Sequence, residues 1–147
     1  MRMVTVVTDS AASLPTDSPS GLHIVPMQLL LDGEVFEDGI GLSVTEFYRR
    51  LRSRDSVFNT SSPSPSRFLD AFKMAAKEAD SILCITVSHT FSATYDSAKT
   101  AIRSAKTALP NVEIELVDSK SAAGGQGLVV TAALRIAKAG GSLREVR

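Results

Sequence analysis

Four short polar clusters carry most of the chemistry that this sequence could perform. They are Thr8-Asp9-Ser10, the hydroxyl run Thr60-Ser61-Ser62-Pro63-Ser64, the stretch Ser88-His89-Thr90-Phe91-Ser92 followed by Thr94, and Asp118-Ser119 with Ser121. Each stands just beyond an apolar, strand-like run or just before a helical one. Free N–H groups at a helix start carry partial positive charge and favour anions. In an open parallel sheet, ligands sit outside the carboxyl ends of the strands. Ser92 opens one helical pattern and Thr60 to Ser62 precede another, so a carboxylate or phosphate between them would meet hydroxyls and backbone amides together. The plain structural reading is that these residues are helix caps and turn formers. Their recurrence at equivalent ends of several elements favours the binding reading.

The elements that must position these clusters follow from periodicity. Met3–Thr8 is a buried-strand pattern. Leu22–Val25 and Met27–Leu31 are short apolar runs split by Pro26, and Asp32-Gly33 ahead of Val35 and Phe36 signals a hairpin or a bent strand. Over residues 43–54, Val44, Phe47, Tyr48 and Leu51 fall on one helical face, and Ser43 with Glu46 has the spacing of a reciprocal capping box. A second helix begins near Ser64-Pro65 and presents Phe68, Leu69, Phe72 and Ala75. Ser81–Val87 is a central-strand pattern, Tyr95 to Leu109 a third helix stopped by Pro110, and Val112–Val117 another strand. A fourth helix, small-residued in its first turn, ends at Gly140-Gly141, and the closing SLREVR begins one more. This order predicts an α/β fold with a mostly parallel open sheet and helices on both faces.

Composition narrows the function. The chain has 147 residues, 44% of them apolar, enough for one domain with a real core. Sixteen basic residues balance sixteen acidic ones, which argues against nucleic acid as a partner. No apolar run approaches the ~20 residues of a membrane span, and the N-terminus reads as a strand rather than a signal peptide, so a cytoplasmic location is expected. One cysteine and two scattered histidines give neither an internal disulfide nor a metal cluster, and Cys84 reads as core packing. Two other functional classes remain in view. A phosphate- or nucleotide-binding domain would use Gly124-Gly125-Gln126-Gly127, which lacks the phosphate-loop pattern and reads better as close helix packing. A serine hydrolase would need Ser92 and His89 as its working pair, but no G-x-S-x-G elbow is present.

The same stretches resemble the DegV family of fatty-acid-binding proteins, in the order of its N-terminal domain. VTDSAASLP (7–15) is similar to that family's opening "TDS…LP", and VPMQLLLDGEVFEDG (25–39) to its "VP…G…Y.DG". TSSPS (60–64) resembles "TSQPS", VSHTFSATYDSA (87–98) resembles "SS..SGTY.SA", and VDSKSAAGGQG (117–127) resembles "DS…S.G.G". The resemblance implies a long-chain fatty acid as ligand, with its carboxylate held by Thr60 and Ser92, and with Ser61 as a lesser contact. Asp9, Ser10, His89, Ala93 and Thr94 lie near that position in the pattern. The resemblance further implies a binding subunit without catalytic residues or cofactor, which presents the acid to a fatty acid kinase partner.

Three departures from the family pattern bear on that expectation. Ser62 stands where Gln is usual, Ala93 where Gly is usual, and His89 where Ser is usual. Ala93 removes a glycine's freedom where the backbone nears the head group, and His89 reads as a surface or loop histidine. Residues 1–147 correspond to the first half of family members, so the second, lid-like domain is not part of this sequence. Apolar surface left uncovered by that half invites dimerisation.

Overall fold

The computed structural model describes residues 3–15, 19–52 and 55–147. Six-residue runs without a breaker become strands β1 (Val4–Asp9) and β6 (Ser81–Thr86), whose residues are all buried. With β2 (Leu22–Val25) and β7 (Glu113–Asp118) they form a parallel sheet in the order β2-β1-β6-β7. Burial on both faces explains why β1 and β6 read as continuous apolar runs rather than alternating ones.

Successive side chains of a strand point to opposite faces, and the core divides accordingly. On one face Val7, Ile82 and Cys84 pack with Phe68 and Phe72 of α2 (Pro65–Ala75) and with Ala98, Ala101 and Ala105 of α3 (Thr94–Ala108). On the other, Val4, Val6, Leu83 and Ile85 pack with Val130, Ala133 and Leu134 of α4 (Ala123–Lys138) and with Leu143 and Val146 of α5 (Leu143–Val146). The α/β class with helices on both faces is therefore as expected, and Cys84 is core. Among the described residues, no helix is long and apolar enough to cross a membrane.

A second, antiparallel sheet of order β4-β3-β5 joins β3 (Gln28–Leu31), β4 (Glu34–Glu37) and β5 (Phe58–Ser61). Asp32 (φ 53°) and Gly33 (φ 85°) make the two-residue turn of the β3–β4 hairpin with both central residues in the left-handed region. Strand β5 is an addition to the sequence reading, which assigns no strand to Phe58–Ser61. Its four residues are exposed and largely polar, so nothing but the β3 ladder identifies it.

Helix α1 (Val44–Leu51) forms as its periodicity predicts; residues 53–54 of the expected span lie outside the described residues. Its capping box is only half made. Ser43 Oγ accepts from the Glu46 amide at 3.2 Å, but the Glu46 carboxylate turns to Arg49 and Arg50. The complete box is at α5, where the Ser142 hydroxyl and Glu145 meet reciprocally. Ser64 sits at the N-cap of α2 with Pro65 at the first position, yet its hydroxyl pairs with Ser66 Oγ at 2.8 Å instead of an amide.

Helix α4 lies against the 3-10 turn Ser10–Ala12, and one glycine makes that approach possible. A Cβ on Gly127 would stand 2.7 Å from the Ala12 carbonyl oxygen, whereas a Cβ on Gly124 would meet nothing within 4 Å. Gly127→Ala is therefore expected to destabilise the chain by about 1–3 kcal/mol through overpacking. Gly124→Ala should be neutral or stabilising by up to about 1 kcal/mol through helix propensity. Urea midpoints of the two variants check this, and equal midpoints would contradict it.

Candidate functional site

Strand order places β2 on one side of β1 and β6 and β7 on the other, so the chain changes direction between β1 and β6. The crevice outside the carboxyl ends of those two strands is where open α/β sheets bind ligands. Asp9 ends β1 there and is fully buried. Its Oδ2 accepts from the Val87 amide at 2.8 Å and from Gln126 Nε2 at 3.2 Å, and its Oδ1 accepts from the Ala11 amide at 3.1 Å. Gln126 also donates to Thr8 Oγ1, which in turn donates to the Ile85 carbonyl. Burial pushes the Asp9 carboxyl above its usual range, against these hydrogen bonds, which favour the charged form. Asp9 thus ties β1, β6 and α4 together at the floor of the crevice.

Hydroxyls are linked in sequence from that floor outward. Ser10 Oγ accepts from the Met27 amide at 2.9 Å, and Met27 Sδ accepts from Thr94 Oγ1 at 3.6 Å. Thr94 Oγ1 lies 2.8 Å from Ser92 Oγ, which lies 3.1 Å from Ser62 Oγ. The loop after β5 and the loop before α3 are therefore in direct contact, as the expected site requires. The contact runs through Ser62, which the sequence reading placed in the hydroxyl run before α2 and noted as a departure from the family pattern without pairing it with Ser92. A serine thirty residues from Ser92 gives no sign of this pairing until the two loops are placed.

The three hydroxyl residues expected to hold a head group are not placed alike. Ser92 is half-buried within this chain of bonds. Thr60 is exposed on β5, directly opposite Leu29 of β3. Opposed residues of an antiparallel pair share a face, so the Thr60 side chain stands on the Leu29 side of the small sheet. Ser61 lies on the alternate face, its hydroxyl 3.4 Å from the Ser62 carbonyl oxygen. Ala93 has φ −72°, a conformation open to any residue, so replacing glycine there brings no strain. His89 turns away toward β7, where its Nδ1 pairs with the Asp118 carboxylate. Desolvation pushes the Asp118 carboxyl up, but hydrogen bonds from the His89 ring, the Lys120 amide and the His89 amide outweigh it and hold the group below its usual range. The Ser92 hydroxyl is engaged by Ser62 and Thr94 rather than by this imidazole, an arrangement that gives a hydrolase no Ser–His pair.

A groove of about 780 Å³ opens over Asp9 and Ser10; Thr60, Ser61, Ser62, Ser92 and Thr94 are not among its lining residues. Asp9, Ser10, Ser13 and Asp38 are its polar lining residues, and Leu14, Ile24, Leu29, Leu42, Phe47 and Phe58 are among its apolar walls. The apolar face of α1 completes it. Val44 is 69% exposed and Tyr48 54%, and α1 has no buried residue, so this face looks onto the groove instead of a core. An edge contact of Phe47 with Phe58, 5.1 Å between ring centroids, and the Arg50–Glu34 ion pair hold α1 over the small sheet. Volume and lining suit a long apolar ligand with one polar end.

A family profile described as "Uncharacterised protein, DegV family" matches residues 3–147. A DegV domain-containing protein of Caldanaerobacter subterraneus is 32% identical over 99% of this chain and 51% of its own length. Among solved structures, a DegV family protein from Thermus thermophilus described by its fatty acid binding is 32% identical, with a TM-score of 0.84 over 99% of this chain and 51% of that one. A stearic acid-binding protein from Eubacterium ventriosum is 28% identical, with a TM-score of 0.88 over 98% and 50%. The chain spans about half the length of the curated relatives and solved chains that it matches.

The shielding of Asp9 has a measurable consequence. A carboxyl raised in the folded state contributes stability that is fully present below its unfolded pKa of about 3.9 and is lost as pH rises through the folded value. Carbon-detected NMR titration of the Asp9 carboxyl should give a midpoint above that ordinary value. Asp9→Asn should lack this component of the pH dependence of unfolding. A midpoint at or below the ordinary value would contradict the assignment.

Proposed function

Because this chain belongs to the DegV family, we propose that it binds a long-chain fatty acid, with the acyl chain along the α1 groove and the carboxylate at the Thr60 and Ser92 hydroxyls, Ser61 being turned to the alternate face of β5. The observation that carries this reading is the adjacency of the two chemistries. Leu29 is a groove wall, and Thr60 is its cross-strand neighbour on the same face. The Thermus and Eubacterium ventriosum proteins, described as binding fatty acid and stearic acid, support it. At the start of α3 Ala93 supplies no side-chain bond, and Ser92 Oγ takes up the Thr94 amide at 3.3 Å in its place. In this reading the protein holds the acid and does no chemistry on it. The family resemblance adds the next step, presentation of the bound acid to a fatty acid kinase partner.

The energetics set the strength expected of this half. Each buried methylene contributes about 0.8 kcal/mol, so a long acyl chain fully enclosed could gain roughly ten kcal/mol before ordering costs. Here one side of the groove is open, with Val44 and Tyr48 largely in water. We read residues 1–147 as the N-terminal, head-group-binding unit of a two-domain protein, whose other unit covers the tail. Alone, the chain binds weakly or closes the groove with a second copy of itself.

Isothermal titration of the monomer with palmitate is therefore expected to give a Kd weaker than micromolar, and tight sub-micromolar binding by the monomer would contradict the half-pocket reading. Thr60→Val combined with Ser92→Ala should lower the lipid that co-purifies with the chain, measured by mass spectrometry, without unfolding the domain. Undiminished lipid would remove these hydroxyls from the site.

A further inference from the structure

The hydroxyl chain that joins the loop after β5 to the start of α3 has as many contacts as protons, so fixing one donor fixes the others. Ser62, Ser92 and Thr94 hold one hydroxyl proton each, and they make three contacts: Ser62 to Ser92, Ser92 to Thr94, and Thr94 to Met27 Sδ. Thr94 is fully buried, so its proton has only the Ser92 oxygen or the Met27 sulfur to go to. If it goes to sulfur, Ser92 must donate to Thr94 and Ser62 must donate to Ser92. The Ser92 oxygen then also receives the Thr94 amide at 3.3 Å, and both its lone pairs and its proton are spent. In that direction Ser92 has nothing to offer an anion. If Thr94 instead donates to Ser92, the Ser92 proton is free to point outward.

We propose that Met27 is a positioning residue, whose sulfur sets the direction in which this hydroxyl chain donates and so tunes the site against an anionic head group. The inference rests on the reading of the site as a carboxylate holder. A carboxylate only accepts hydrogen bonds, so it requires the outward direction. Binding must then break the Thr94–sulfur contact, and the apparent affinity falls by the fraction of molecules already pointing outward. An alcohol head group is served by either direction, because it can donate to Ser62 or accept from Ser92. The site therefore discriminates by hydrogen-bond direction as well as by charge. Met27 is the backbone partner of Ser10 through its amide, which a side-chain substitution leaves in place.

Met27→Leu conserves volume and removes the acceptor. Calorimetric titrations of wild type and variant with tetradecanoate and with 1-tetradecanol at pH 7 test the proposal. The variant is expected to bind the acid tighter by on the order of threefold or more, with the alcohol changed by less than about twofold. Equal tightening of both ligands would assign Met27 a packing role only, and an acid affinity unchanged or weakened would likewise overturn the proposal, while leaving the fatty-acid reading intact. Failure of wild type to bind either ligand would overturn both. A measurement free of any variant accompanies it: the Thr94 hydroxyl proton should show a nuclear Overhauser effect to the Met27 methyl in the free protein, and lose it when tetradecanoate is added. Persistence of that effect in the complex would also overturn the proposal.

Discussion

A carboxylate with no access to water fixes the architecture of this crevice. Asp9 collects the amides of Ala11 and Val87 and the side chain of Gln126, which belong to the turn after β1, the end of β6 and the first turns of α4. Leaving such a group unpaired would be costly, so the three segments are held to one geometry. Gly127, one residue on, lets α4 approach the turn closely enough for Gln126 to reach. The turn then sets Ser10, Ser10 holds the Met27 amide, and Met27 meets Thr94 at the start of α3. The Ser62 and Ser92 hydroxyls are consequently anchored to the most buried part of the sheet, although they lie in loops.

The second constraint is an apolar helix face without a core. A helix buries its apolar stripe against another element when one is available. In α1 that stripe borders a groove, with Phe47 touching Phe58 and the neighbouring Val44 and Tyr48 in water. Exposed apolar area of this kind marks a binding surface. In the proposed reading, one polar end and a long apolar body account together for the hydroxyls and the groove.

Much of this was legible in the sequence, for identifiable reasons. Strands β1 and β6 are buried on both faces and have a continuous apolar signal, and α1 to α4 follow strong 3.6-residue periodicity. Strand β5 was not legible, since its exposed Phe-Asn-Thr-Ser has no pattern of its own and forms only because β3 offers an edge. The capping box expected at Ser43 and Glu46 was half made because two arginines three and four residues on compete for the same carboxylate. Ordered motifs pointed to Ser92, while Ser62 and Met27 depend on contacts between loops far apart in sequence. Asp9 was read among the residues near a ligand, and the structure shows why its type matters: three donors converge on it.

The central claim is that the acyl tail lies under α1 while the head group meets Ser92. A fatty acid carrying a nitroxide near its methyl end tests this most directly, through paramagnetic broadening of assigned methyl and aromatic resonances. The account predicts broadening of Val44, Phe47, Leu51 and Phe58, with the Ser92 and Thr94 amides shifted but still sharp. Broadening centred instead on Leu128 and Val129 of α4, with α1 unaffected, would contradict it.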